Sequence, residues 1–217
     1  MKKTKIAVAL LAVMCIFAFS ACGASFDPVA FVQGSFDATF HGDITDEFVD
    51  TLVDVDSVED YEEQYNEMLD SAVDNTLISM GIYDPSEMLK ADTRDMFAML
   101  MDAAKYEVNS EYVENEDGSF IVEVTVYPLL TYMDVCMDED GSITAAVEAK
   151  VTGDMSYDQI MELYMEELIA AFKTAMENPT YDEGQVYEIE VFLDDDDCYT
   201  VDEYVIAEIS AVLMGAV

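Results

Sequence analysis

Asp194-Asp195-Asp196-Asp197 places four carboxylates in consecutive positions. Like charges this close repel, and a divalent cation relieves the repulsion, so the run reads as a weak calcium site of the extracellular kind or as a plain exposed turn. A second acidic loop, Asp138-x-Asp140-Gly141, resembles part of an EF-hand. With Gly141 at the sixth loop position, Asp138 and Asp140 fall at positions three and five and Ile143 at eight. Cys136 and Val147 then occupy the first and twelfth positions, where chelating carboxylates belong, so a solvated acidic turn is favoured. His41 is the single histidine, so a serine or cysteine dyad of the usual kind would need it. Its setting, Phe40-His41-Gly42, fits instead a cation at the end of a helix. Cys136 and Cys198 are either an exported disulfide or two buried thiols, and their separation suits no zinc motif. Met88, Met96, Met99 and Met101 read as core at helical spacing, with an adaptable binding groove as the alternative.

Composition narrows the chemistry. The chain has 48 acidic residues against 8 basic ones in 217, yet 52% of it is apolar, so it is a folding chain and not a disordered acidic tail. With so few Lys and Arg no basic patch forms, which argues against a nucleic-acid partner. The excess of carboxylates also makes any pair suited to glycoside hydrolysis impossible to single out by spacing.

The basic residues are not evenly spread. Lys2, Lys3 and Lys5 precede an uncharged apolar stretch from Ile6 to Phe19, followed by small residues and Cys22. A charged head, a short apolar core and a small-residue cleavage point make a secretory signal over 1–21. The stretch covers about 21 Å as a helix, short of the roughly 30 Å hydrocarbon layer, so a permanent span is not expected. Phe19-Ser20-Ala21-Cys22 resembles the lipobox of bacterial lipoproteins, in which the cysteine thiol receives a diacylglyceryl group and becomes the mature N-terminus. Phe19 departs from the usual Leu; the other three positions fit. Removing 1–21 leaves 5 basic residues against 48 acids, a body that anionic lipid repels. Two acyl chains such as palmitate, at about 0.8 kcal/mol per buried CH₂, anchor such a body stably. The expected organisation is a signal peptide (1–21), a lipidated tether (22–25) and one extracellular domain (26–217).

The elements of that domain follow from caps and periods. Asp27-Pro28 opens a helix carrying Val29, Val32, Phe36 and Phe40, stopped by Gly42. Thr45 caps a short second helix, and Ser57 a longer one with Tyr61, Tyr65, Met68, Leu69, Ala72 and Val73 inward. Asp84-Pro85-Ser86-Glu87 has the form of a capping box for a helix bearing Met88, Met96, Leu100 and Ala103. The period then shifts to two, and 106–127 reads as a hairpin around Asn115-Glu116-Asp117-Gly118. Residues 129–153 stay ambiguous. Ser156 opens the clearest helix, with Tyr157, Met161, Tyr164, Leu168 and Phe172 in its stripe. A strand over 186–193 follows, and Thr200-Val201-Asp202-Glu203 reads as the capping box of a last helix. The fold class is α+β: N-terminal helices and a long central helix on a small, mainly antiparallel sheet, ending strand–turn–helix.

The run Asp37 to Asp50, "DATFHGDITDEFVD", and the Ser-capped acidic helix after it resemble uncharacterised lipoproteins of Gram-positive, largely clostridial bacteria. That resemblance implies a cystatin-like or nuclear-transport-factor-like α+β domain and no established activity. It transfers no functional residue except the lipidated Cys22. The expectation is a lipoprotein on the outer face of the cytoplasmic membrane, non-enzymatic, binding an unidentified protein or small molecule. A carboxylate-dependent hydrolase and a calcium-responsive envelope module are the alternatives, and no cofactor beyond weak Ca²⁺ is expected.

Overall fold

The computed structural model describes residues 19–21, 26–53 and 55–213. Most of the expected leader, and Cys22 with its tether (22–25), lie outside the described residues. Asp27 caps the first helix, α1 (Pro28–Phe36), its Oδ1 accepting from the backbone N–H of Val29 at 3.0 Å and Ala30 at 3.1 Å. The helix widens into one π-helical turn, Asp37–His41, and stops at Gly42. Gly42 has φ +65°, a left-handed conformation that glycine adopts without strain. Thr45 caps α2 (Asp46–Val49), and Ser57 caps α3 (Val58–Ser79).

The next cap is Ser86, whose Oγ accepts from Leu89 N–H at 3.1 Å, and the helix is α4 (Glu87–Asp102). Starting there turns Met88 outward, 69% exposed, against the expected core position, while Met96, Leu100 and Met101 are buried. The polar stretch in its middle is tolerated for local reasons. Thr93 Oγ1 donates to Leu89 O at 2.7 Å, and Arg94 Nε donates to Asp70 Oδ1 at 2.9 Å.

A five-stranded antiparallel sheet backs these helices. Its strands are β1 (Ser20–Ala21), β2 (Lys105–Glu114), β3 (Phe120–Tyr127), β4 (Gln185–Leu193) and β5 (Tyr199–Val201), in the order β1-β5-β4-β3-β2. The alternation is literal: Val122, Val124 and Val126 of β3 and Ile189 and Val191 of β4 are buried on the helix side. Glu123, Glu188 and Glu190 face solvent.

The ambiguous stretch resolves into two helices, α5 (Leu130–Met137) and α6 (Ser142–Lys150). The clearest sequence helix is α7 (Tyr157–Ala175), with Ser156 and Gln159 forming a reciprocal capping box. Its buried face includes Met161, Met165, Leu168, Ile169 and Phe172, but Tyr157 is 57% exposed. The chain ends in α8 (Glu203–Leu213). Its first turn is capped by Asp202, which accepts from Tyr204 N–H at 2.8 Å; Thr200, expected in that capping box, lies in β5 instead. Helix α1 packs on β2 and β3, α8 on β3, and α7 on α4, α5 and α6. Among the described residues no helix is long and apolar enough to cross a membrane.

Two residues read as the end of the leader belong to this sheet, and a third packs beside it. Ser20 pairs with Thr200 and Ala21 with Tyr199, and Val53 N–H donates to Ser20 O at 3.0 Å. Phe19 is buried, its ring 5.7 Å from Phe48 and 6.0 Å from Tyr61.

Candidate functional site

A cavity of about 510 Å³ opens where α1, the π turn and α2 meet. That is within the 300–1,000 Å³ range of small-molecule sites. Phe26, Phe31 and Phe48 form its aromatic wall, with ring centroids 5.4 Å apart for Phe26–Phe31 and 6.2 Å for Phe31–Phe48. The wall is held from behind. Phe26 stacks on Tyr199 at 3.9 Å, and Phe48 meets Phe19 edge-on. Gly34 lets the third ring approach: a Cβ there would stand 2.6 Å from Phe48 Cδ2. A glycine inside a helix costs about 1 kcal/mol relative to alanine, so its presence is explained by this contact.

The rim is acidic: Asp27, Asp37, Asp43, Glu47 and Asp50 all line the cavity. Asp27 is occupied as the helix cap. Asp37 Oδ1 accepts from Gln33 Nε2 at 2.7 Å and from Tyr106 Oη at 2.6 Å, which ties the π turn to β2. Burial, and then this bond to a carboxylate, hold the Tyr106 phenol well above its ordinary pKa.

Asp43, Glu47 and Asp50 have no Lys or Arg within ion-pair distance among the described residues. The described cations are all engaged elsewhere. Lys90 pairs with Asp74 at 3.3 Å, Arg94 with Asp70, Lys150 with Glu167, and Lys173 with Asp92 at 2.7 Å. Lys105 Nζ sits 4.4 Å from the centroid of the Tyr127 ring. The positive charge is therefore carried by α4, β2, α6 and α7, and none of it by α1 or α2. Six of the cavity's thirteen lining residues fall in the Asp37–Asp50 run that stood out in the sequence.

The other candidates separate. Asp138 is 3% exposed, and its carboxylate accepts from Ile143 N–H at 3.0 Å, Thr144 N–H at 3.1 Å and Thr144 Oγ1 at 2.7 Å. It starts α6 as a capping group. A broader groove of about 710 Å³ beside it, between α5, α6 and α7, is lined by Asp134, Glu139 and Asp140 over a floor rich in alanine.

Asp194 to Asp197 form the β4–β5 hairpin turn. Asp194 Oδ1 accepts from the N–H of Asp196 and of Cys198, both at 2.9 Å, and Asp197 takes the left-handed position at φ +59°. The four carboxylates do not gather round a common centre, and no such group of three or more is found among the described residues. Of the two readings of Asp194, Asp195, Asp196 and Asp197, a weak calcium site or an exposed turn, the turn is what their geometry displays, with the first carboxylate consumed by it.

Cys136 and Cys198, read as either a disulfide or two buried thiols, do not pair with each other. Cys198 is disulfide-bonded, whereas Cys136 is a free thiol buried under α7, its pKa pushed up to about 12 by burial. The hairpin holds Cys198 on the sheet and the helical layer holds Cys136, which sequence separation alone does not reveal. His41 ends the π turn as expected and donates through Nε2 to Ala104 O at 3.0 Å.

No protein-family model matches the chain, and no curated protein matches it. Among solved structures the fold is similar to one described as "a putative lipoprotein (ycdA) from Bacillus subtilis", with a TM-score of 0.56 and 17% sequence identity. The similarity covers 85% of this chain but 55% of that one, so this chain spans about half the length of that protein. At this identity the likeness is one of fold alone. The lipoprotein description and the Gram-positive source are those of that protein, and the likeness does not extend to the clostridial or cystatin-like assignment.

Proposed function

We propose that this chain is an exported lipoprotein, acylated on Cys22 and held at the outer face of the cytoplasmic membrane of a Gram-positive bacterium, whose α+β domain binds a ligand in the α1–α2 cavity. The observation that carries the reading is the aromatic-walled cavity itself, built by residues that directly follow the anchor. Phe26 is four residues beyond Cys22, so at most about 14 Å of chain separates the lipid attachment point from the cavity wall. The lipobox spacing and the fold shared with a lipoprotein-like structure support the anchoring half of the proposal.

The hydrolase alternative draws less support. Asp117 and Asp154 are carboxylates with a displaced pKa, and hydrogen bonds hold both low, opposite to what a general acid requires.

Two measurements test the two halves. Cys22→Ser should abolish incorporation of an alkyne-labelled palmitate and release the protein from the membrane fraction. Unchanged labelling would refute the anchor. For the cavity, Ala30 is an exposed lining residue, so Ala30→Trp fills the space without touching the core. Small-molecule fragments whose binding the full chain shows by saturation-transfer NMR should be lost in that variant. If every bound fragment persists, the cavity is not the site.

A further inference from the structure

We infer that the α1–α2 cavity takes an organic ammonium ion, a deepening that rests on the cavity being the binding site. Three observations lead there. First, three Phe rings line the cavity at mutual tilts of 54° and 45°, so they are not coplanar and do not stack as one flat surface. Ring faces attract cations through their quadrupole, and arrays of them are suited to alkylammonium groups.

Second, Asp43, Glu47 and Asp50 on the rim face no basic side chain among the described residues, and all five described cations are engaged on other elements. A protein with this charge leaves the field at the cavity uncompensated. An anion is repelled from it, and a neutral ligand can gain from the rim only through hydrogen bonds it donates, without the long-range attraction a cation feels.

Third, the lining argues against a metal ion. A hard divalent cation needs six to eight oxygens at 2.3–2.6 Å for calcium or near-octahedral oxygens for magnesium. Here half the enclosure is hydrocarbon, Asp27 and Asp37 already accept hydrogen bonds, and no three carboxylates converge among the described residues. A charge spread over methyl or methylene groups needs no coordination shell; it needs apolar contact on one side and diffuse negative charge on the other. The cavity supplies both, and its size admits a headgroup-sized amine.

The experiment uses a matched pair of probes: choline, and 3,3-dimethyl-1-butanol, its neutral isostere. Each is titrated into the full chain in a non-ionic detergent, with the binding followed by saturation transfer to the probe methyl groups. Choline should bind saturably and more weakly as sodium chloride rises, and the isostere at least about tenfold more weakly. The double variant Glu47→Gln with Asp50→Asn, both exposed positions, should weaken choline about tenfold while leaving the isostere unchanged. Phe48→Leu, which keeps apolar bulk and removes the ring, should weaken choline more than the isostere. Equal binding of the two probes, insensitivity to the charge variants, or displacement of choline by equimolar calcium would overturn the ammonium assignment. If neither probe binds but other fragments do and are lost in Ala30→Trp, the ligand class falls and the cavity survives. If Ala30→Trp changes nothing, the cavity reading falls too.

Discussion

Gly34→Ala sets two opposed effects against each other at the cavity wall. Alanine in a helix interior is favoured over glycine by about 1 kcal/mol. Against this, the new Cβ would lie 2.6, 2.7 and 2.9 Å from three atoms of the Phe48 ring. Contacts this short are not sustained, so Phe48 or the α2 segment must shift. In the chain that keeps its leader, the form to be measured, the ring has little room: Phe19 stands edge-on to it at 5.7 Å and Phe31 lies at 6.2 Å. Forcing an extra methyl into packed surroundings costs about 1–3 kcal/mol, so the clash outweighs the propensity gain and the variant is destabilised by about 1 kcal/mol net. For a domain of this size that lowers Tm by roughly 2–4 °C. The decisive measurement is a double-mutant cycle by urea denaturation. In a Phe48→Ala background the clash atoms are gone, and Gly34→Ala should then stabilise by about 1 kcal/mol, giving a coupling of about 2 kcal/mol. If Gly34→Ala stabilises both backgrounds equally, the close approach of Phe48 to α1 is not what keeps a glycine there.

Three further outcomes are expected. Asp138→Ala removes a buried cap that accepts three hydrogen bonds at the start of α6, and should cost about 2–3 kcal/mol by urea denaturation, while Asp195→Ala on the exposed hairpin turn should stay within about 0.5 kcal/mol. Native Cys136 should resist iodoacetamide at pH 8 and react on unfolding, because it is buried with its thiol pushed up to about 12, and rapid native labelling contradicts this; Cys198 should label only after reduction in the chain that keeps its leader and an unacylated Cys22. Burial raises the Tyr65 phenol from 10.0 to about 12, so the unfolded chain loses this proton first; stability is whole below pH 10 and falls between pH 10 and 12, and Tyr65→Phe should flatten that fall in urea midpoints taken across the range.

The caps carried most of what the sequence revealed about the fold. Asp27, Thr45, Ser57 and Ser156 each sit where their side chains close a helix, and Asn115 to Gly118 close the hairpin. Where two capping residues competed, the choice was not local. Ser86 is the residue that caps, although Asp84-Pro85 repeats the cap-then-proline pattern of Asp27-Pro28, and Thr200 is drawn into β5 by pairing with Phe192, a contact from another part of the chain. Residues 129–153 hid two helices because both are short and neither separates its polar and apolar faces strongly; Asp138 defines the second from a position already outside it.

The cavity was legible only in halves. The acidic run from Asp37 to Asp50 was visible, but its aromatic wall was not. Val29, Val32, Phe36 and Phe40 gave the inner stripe of the first helix, leaving Phe31 and Gly34 between stripes, and Phe26 ahead of the cap. The interior glycine was the available clue, since a helix keeps one at a cost only where something lies against it.

The short strand β1 carries a consequence for maturation. On the processing proposed above, cleavage ahead of Cys22 would remove Phe19, Ser20 and Ala21 together, so the precursor and the processed protein would not share the same sheet border. In the processed form the backbone of Tyr199 and Thr200 loses its antiparallel neighbour, Val53 N–H loses its acceptor, and the side of Phe48 once covered by Phe19 is bared. The leader would then vacate a two-residue strand position, with the site of the Phe19 ring at one end of it. On that reading, export alters the edge of the sheet itself, leaving Tyr199 and Thr200 as a bare strand edge.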